Sequence, residues 1–67
     1  MARFTSRLFS LRLAEQLSQD GLASELDVSR QTIHAIETGK SEPSLYLAHK
    51  CAQYFGLKIE QIFGYKD

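Results

Sequence analysis

Sixty-seven residues make one small domain, close to the lower limit for a self-sufficient core, and a chain of this size gains stability by oligomerising. The 43% apolar fraction suits a folded chain, and the single cysteine, Cys51, excludes an intrachain disulfide and points to a reducing, cytoplasmic setting. No apolar run approaches the roughly 20 residues of a membrane span, and the formal net charge of zero withholds the overall basic balance usual in nucleic-acid-binding domains.

The start MARFTSRLFSLRL lacks the uninterrupted apolar stretch and small-residue cleavage site of a secretory signal. Arg3, Arg7 and Arg12 crowd this end, whereas Glu15, Asp20, Glu25 and Asp27 follow. The periodicity predicts five helices and no strand, an all-α domain over 1–67. A first helix over about 6–16 places Leu8, Leu11 and Glu15 on one face, with Arg12 at its edge. Phe9 and Leu13, four apart, make a second apolar strip. That strip is expected to lie under the N-terminal segment through Phe4, with a protein contact surface as the other reading.

A second helix spans about 19–26, capped by Ser18, with Leu22, Ala23 and Leu26 as its buried stripe. Gly21 stands where a capping box would want Glu or Gln, and it weakens the helix. Asp27 and Val28 leave a turn so short that the third helix, about 30–38, must meet the second at an angle. Gly39 suits a left-handed cap. Ser44 caps a fourth helix, about 45–55, in which Leu45, Ala48, Ala52 and Phe55 repeat at helical spacing. A short fifth helix, about 59–63, offers Ile59, Ile62 and Phe63, and the GYKD tail is expected to fray.

The third helix carries the informative pattern. Val28, Ile33 and Ile36 form its apolar face, while Arg30, Gln31, Thr32 and His34 crowd the other. A merely solubilising face is normally written in Glu and Lys. Helix, tight turn, helix over about 18–38 is the helix-turn-helix arrangement, whose second helix enters the major groove N-terminal end first. Base edges are donors and acceptors, so the residues there must be hydrogen-bonding side chains.

The ordered matches LSQ at 17–19, LA at 22–23, VSRQTI at 28–33, IE at 36–37, GK at 39–40, PS at 43–44, FG at 55–56 and 59–63 resemble the lambda-repressor-like (Xre, Cro/C1-type) helix-turn-helix family over roughly 8–63. The resemblance implies a compact five-helix bundle that binds operator DNA as a symmetric homodimer. By position, Arg30 and Gln31 would face base edges, with His34 and Ala35 one turn further along. Ser18, Gln19, Ser29, Thr32, Thr38 and Lys40 would serve the DNA backbone, and Arg12 would pair with Glu37. Departures from the family pattern are Gly21 where a helix-stabilising residue is usual, Asp27 and Gln16 where glycine is common, His34 where a small polar residue is frequent, and Lys58 where serine caps. Asp27 must then tolerate a left-handed conformation. His34 reads equally as a DNA contact or as a neutral spectator.

Other functions find little support. His49 and Cys51, two apart on a helix, point about 200° from each other and cannot chelate one metal. No Gly-rich phosphate loop, nucleophile elbow or split-pKa carboxylate pair suggests an enzyme, and no cofactor, metal or small-molecule ligand is implied. The leading expectation is a sequence-specific transcriptional repressor on an inverted repeat in double-stranded DNA, dimerising through Leu57, Phe63 or Tyr65. The alternative is an antitoxin-like module that keeps the fold and captures a protein partner.

Overall fold

The computed structural model describes residues 3–67. Its elements are β1 (Arg3–Ser6), α1 (Leu8–Ala14), α2 (Gln19–Leu26), α3 (Arg30–Glu37), α4 (Leu45–Phe55), α5 (Ile59–Ile62) and β2 (Phe63–Lys66). The five helices stand as the periodicity predicts, but the chain is not all-α. Its two ends close into a two-stranded antiparallel sheet, with Phe4 opposite Tyr65 and Ser6 opposite Phe63. Far from fraying, the GYKD segment supplies three of the four residues of β2.

The strands form because their side chains share one face. Phe4 stacks on Phe63 at 6.0 Å between ring centres and meets Tyr65 edge-on at 5.9 Å. Such direct and diagonal pairs are the stabilising unit of a small sheet. The Arg7 N–H donates to the Ile62 carbonyl at 2.8 Å and continues the tie beyond the sheet. Strand formation also shortens the neighbouring helices. Ser6 belongs to β1 and caps from outside, its Oγ accepting from the Leu8 N–H at 3.1 Å. At the other end, Phe63 leaves α5 for β2. Because Phe4 pairs with the C-terminal strand, it does not cover the second strip of α1. Phe9 and Leu13 each remain 51% exposed.

The core is drawn from every helix. Leu8, Leu22, Leu26, Ile33, Ile36, Cys51 and Ile62 are fully buried, each large aliphatic contributing roughly 1.5–3 kcal/mol relative to exposure. In α4 the buried stripe is Leu47, Ala48, Cys51 and Ala52, not one that begins at Leu45. Leu45, the first residue after the Ser44 cap, projects past the core and is 81% exposed. Burial also raises the Cys51 thiol to about 11, so it stays protonated in the core.

The first four helices end in the same way. The backbone N–H of Leu17, Val28, Lys40 and Leu57 donates to the carbonyl five residues back, at 2.9–3.1 Å. The residue before each is left-handed: Gln16, Asp27, Gly39 and Gly56. This is the Schellman closure, which satisfies helix-end carbonyls and turns the chain sharply. Gly39 and Gly56 adopt it without strain, whereas Gln16 and Asp27, both at φ 58°, take it with a side chain. The Asp27 turn sets the angle at which α3 leaves α2.

Candidate nucleic-acid interface

Two serines set the start of each helix in the pair. Ser18 Oγ accepts from the Gly21 N–H at 2.9 Å and fixes the first turn of α2. Ser29 Oγ accepts from the Thr32 N–H at 3.2 Å and lies 2.9 Å from the Thr32 hydroxyl. These caps are worth about 1 kcal/mol each. At the other end of α3, the Thr38 hydroxyl donates to the His34 carbonyl at 2.9 Å. Lys40 follows the Gly39 turn and is exposed.

With Ile33 and Ile36 held in the core, the opposite face of α3 must look outward. Arg30, Gln31 and His34 are exposed and line a shallow notch of about 160 Å³, while Ala35 is half-buried and takes no part in it. A guanidinium, an amide and an imidazole around a notch offer donors and acceptors of the kind that read base edges.

Behind this face lies an ion pair. Arg12 Nε donates to Glu37 Oε2 at 2.7 Å and Arg12 Nη2 to Glu37 Oε1 at 3.0 Å, with the two side chains only 8% and 3% exposed. Arg12 Nη1 donates to the Leu17 carbonyl at 2.8 Å, so the guanidinium also closes the end of α1. Glu37 Oε1 accepts a further bond from Gln19 Nε2 at 3.1 Å. Burial pushes the Glu37 carboxyl up. The hydrogen bonds from Arg12 and Gln19 and the nearby positive charges outweigh it, leaving the group below the ordinary carboxylate range. Its hydrogen bond to Glu37 holds the Arg12 guanidinium more firmly protonated than usual.

Five residues, offered by the sequence as an ion pair, a helix face and a helix start, are therefore one assembly. Gln19 reaches from α2 to the ion pair, to His34 Nδ1 at 3.3 Å and to Arg30 Nη1 at 3.5 Å. Two contributors had no local signal. Asp20 comes within 3.9 Å of Arg30, and Lys50 Nζ donates to the Leu26 carbonyl at 2.6 Å, bracing the C-terminal end of α2. Lys50 lies 24 residues from that carbonyl, beyond the reach of spacing arguments.

Leu57, Phe63 and Tyr65 belong to a different region. Leu57 is half-buried against the core, and Phe63 is 8% exposed, its ring used inside the chain. Tyr65 is 61% exposed, and its hydroxyl donates to the Glu42 carboxylate. With Phe4, Pro43, Leu45 and Ile59 it borders an open apolar groove of about 490 Å³.

A family model for the helix-turn-helix matches residues 8–62. An uncharacterized HTH-type transcriptional regulator of Methanocaldococcus jannaschii is 55% identical over 62 residues, 92% of this chain and 94% of that protein. The cryptic phage CTXphi transcriptional repressor RstR of Vibrio cholerae is 30% identical over 59 residues, 88% of this chain but 53% of its own length. A crystal structure of a Bacteroides fragilis protein shares the fold with a TM-score of 0.78 at 24% identity, covering 91% of this chain and 98% of that one. The match across nearly all of α1–α5, together with these relatives, places the chain in the Cro/C1-type helix-turn-helix family of DNA-binding transcriptional regulators.

Proposed function

We propose that the chain is a sequence-specific repressor that binds an inverted repeat as a homodimer. The observation that carries this reading is the outward set Arg30, Gln31 and His34 at the start of α3, held from behind by Arg12, Glu37 and Gln19. One such helix reads only a few base pairs. Two related by a two-fold axis read half-sites about 34 Å apart. A repressor role agrees with that of the phage relative, a transcriptional repressor. Arg30 and Gln31 supply base contacts. Ser29, Thr38 and Lys40 supply the contacts to phosphates, the first two at the ends of α3 and Lys40 just beyond it.

The second copy is the occupant we assign to the groove beside Tyr65. Its rim carries Leu45, the most exposed of the large aliphatic side chains among the described residues, next to exposed Tyr65. A two-fold contact there is self-complementary. Phe63 contributes from beneath as part of the groove floor, so replacing it would damage the fold. Leu45→Glu and Tyr65→Glu test the interface instead.

Selection of binding sites from a random DNA pool with the purified chain tests the whole reading. An inverted repeat is expected, with a dimer in sedimentation that Leu45→Glu dissociates. Unstructured output, or a single half-site bound by a monomer, would refute it. Exposed Phe9 and Leu13 favour one second reading, a protein-interaction module. Binding to DNA weakens steeply as salt rises, whereas an apolar protein interface does not.

A further inference from the structure

Gln19 has two amide hydrogens, and the fold commits both. Nε2 is 3.1 Å from Glu37 Oε1, an obligate acceptor, and 3.3 Å from His34 Nδ1. An amide N–H facing a ring nitrogen is favourable only when that nitrogen accepts, which requires the neutral His34 tautomer protonated on Nε2. Gln19 then turns Oε1 outward, at the outer limit of a hydrogen bond from Arg30, 3.5 Å away. In this state Gln19 presents an acceptor. A phosphate, itself an acceptor, gains nothing from it, whereas the Arg30 guanidinium does.

We propose that His34 is a positioning residue that sets which end of the Gln19 amide faces outward, and thereby the aim of Arg30 at its base. This rests on the DNA-binding reading above. Imidazole changes charge between about pH 5 and 8. A proton on His34 Nδ1 turns the acceptor into a donor, so two N–H groups face each other and the contact opens. One Gln19 hydrogen is released to serve a phosphate, Arg30 loses its guide, and a positive charge is added to the face. Acid therefore strengthens binding to any duplex and weakens discrimination. The groups around His34 are Glu37 on α3 with Arg12 of α1 behind it, Gln19 of α2, and Arg30 with Asp20 beside it. Glu37 is held charged by Arg12 and Gln19.

Side-chain amide spectra of the free, nitrogen-15-labelled chain between about pH 5 and 8 test the coupling without DNA. The Gln19 signals are expected to move with the His34 ring and to stay flat in His34→Ala. On DNA, the preference of the parent for its selected site over a scrambled duplex should fall about two- to tenfold on acidification, the worth of one hydrogen bond. His34→Asn, an acceptor that does not titrate, should keep the preference at both ends of the range. His34→Ala should lose it at both, and His49→Ala should behave as the parent. Gln19 signals that ignore pH, or that move equally in His34→Ala, overturn the proposal. So does a preference whose pH dependence survives in His34→Ala. Failure to select any DNA would instead sink the DNA-binding reading, and the spectra would still decide the coupling.

Discussion

Glu37→Ala removes one half of a buried ion pair and leaves the other. The Glu37 carboxylate accepts three hydrogen bonds, two from Arg12 and one from Gln19, and both charged side chains are over 90% covered. Truncation leaves the Arg12 guanidinium with the Leu17 carbonyl and the Phe9 ring 5.4 Å away but no counter-charge, at a cost of about 3–5 kcal/mol in the buried limit. A domain of this length holds about 3–10 kcal/mol in total. The melting temperature should drop by about 12–40 °C, at about 4–8 °C per kcal/mol for this size, and the variant should be partly unfolded at room temperature. Circular dichroism melts of Glu37→Ala, with Glu25→Ala as an exposed control, provide the measurement. Replacing both partners, Arg12→Met with Glu37→Leu, should recover much of the loss, because the cost lies in the stranded charge. Recovery stays incomplete by about 1 kcal/mol, since the Leu17 carbonyl also loses its donor. A Glu37→Ala melt within about 2–4 °C of the parent, the range of an ordinary surface change, would refute the reasoning.

Further outcomes follow from the same geometry. Arg30→Ala and Gln31→Ala should each relax base preference by about 1–3 kcal/mol of discrimination; unchanged site preference in competition binding would show that other residues read the bases. Lys40→Ala should weaken binding to all sequences alike and reduce the salt slope by about one, which a salt titration reads directly. Glu37 lies low in the fold, so it contributes stability above the unfolded carboxylate value of about 4.3. That contribution is lost as pH falls through this value and then through the folded one, and Glu37→Gln should melt with a flatter acid limb. Gln16→Gly should raise the melting temperature by up to about 12 °C. It relieves a left-handed residue costing about 1–2 kcal/mol against a glycine chain-entropy cost of about 0.5–1 kcal/mol; a fall would show that Gln16 makes a compensating contact.

The helices were legible because each is punctuated locally. Ser18, Ser29 and Ser44 stand one residue before α2, α3 and α4, and all three accept the bond of an N-cap. Gly39 and Gly56 mark two of the left-handed ends, and Asp27 marks a third through the family resemblance, which has glycine at that place in the turn. The strands were not legible. Each is four residues long, which gives period-two alternation too few repeats to stand out, and Phe4 and Tyr65 meet across nearly the whole chain. The aromatic spacing Phe63-Gly64-Tyr65 was visible, but in the sequence it reads equally as the end of a short helix. Leu45 misled for a related reason. A stripe at positions 45, 48, 52 and 55 fits a helix well, yet the first residue after a cap overhangs the core, and periodicity does not show where the core stops.

The zero net charge becomes intelligible once four of the eight acids are placed. Glu37 is consumed inside the fold by Arg12, Asp27 holds a left-handed turn, and Glu42 accepts from Tyr65 beside the groove. Only Asp20 stands near Arg30, at 3.9 Å with its side chain largely in solvent, where screening leaves such a pair worth little. Counting charges along the chain therefore averages over roles that do not mix. What the outward face of α3 presents is decided by hydrogen-bond polarity more than by charge, because Arg30, Gln31, Gln19 and His34 bring one fixed cation and three groups able both to donate and to accept. An amide or an imidazole can be turned by its neighbours. The ion pair behind Gln19 and the ring beside it do this turning, which ties the packing of α1 against α3 to the pattern offered to the groove.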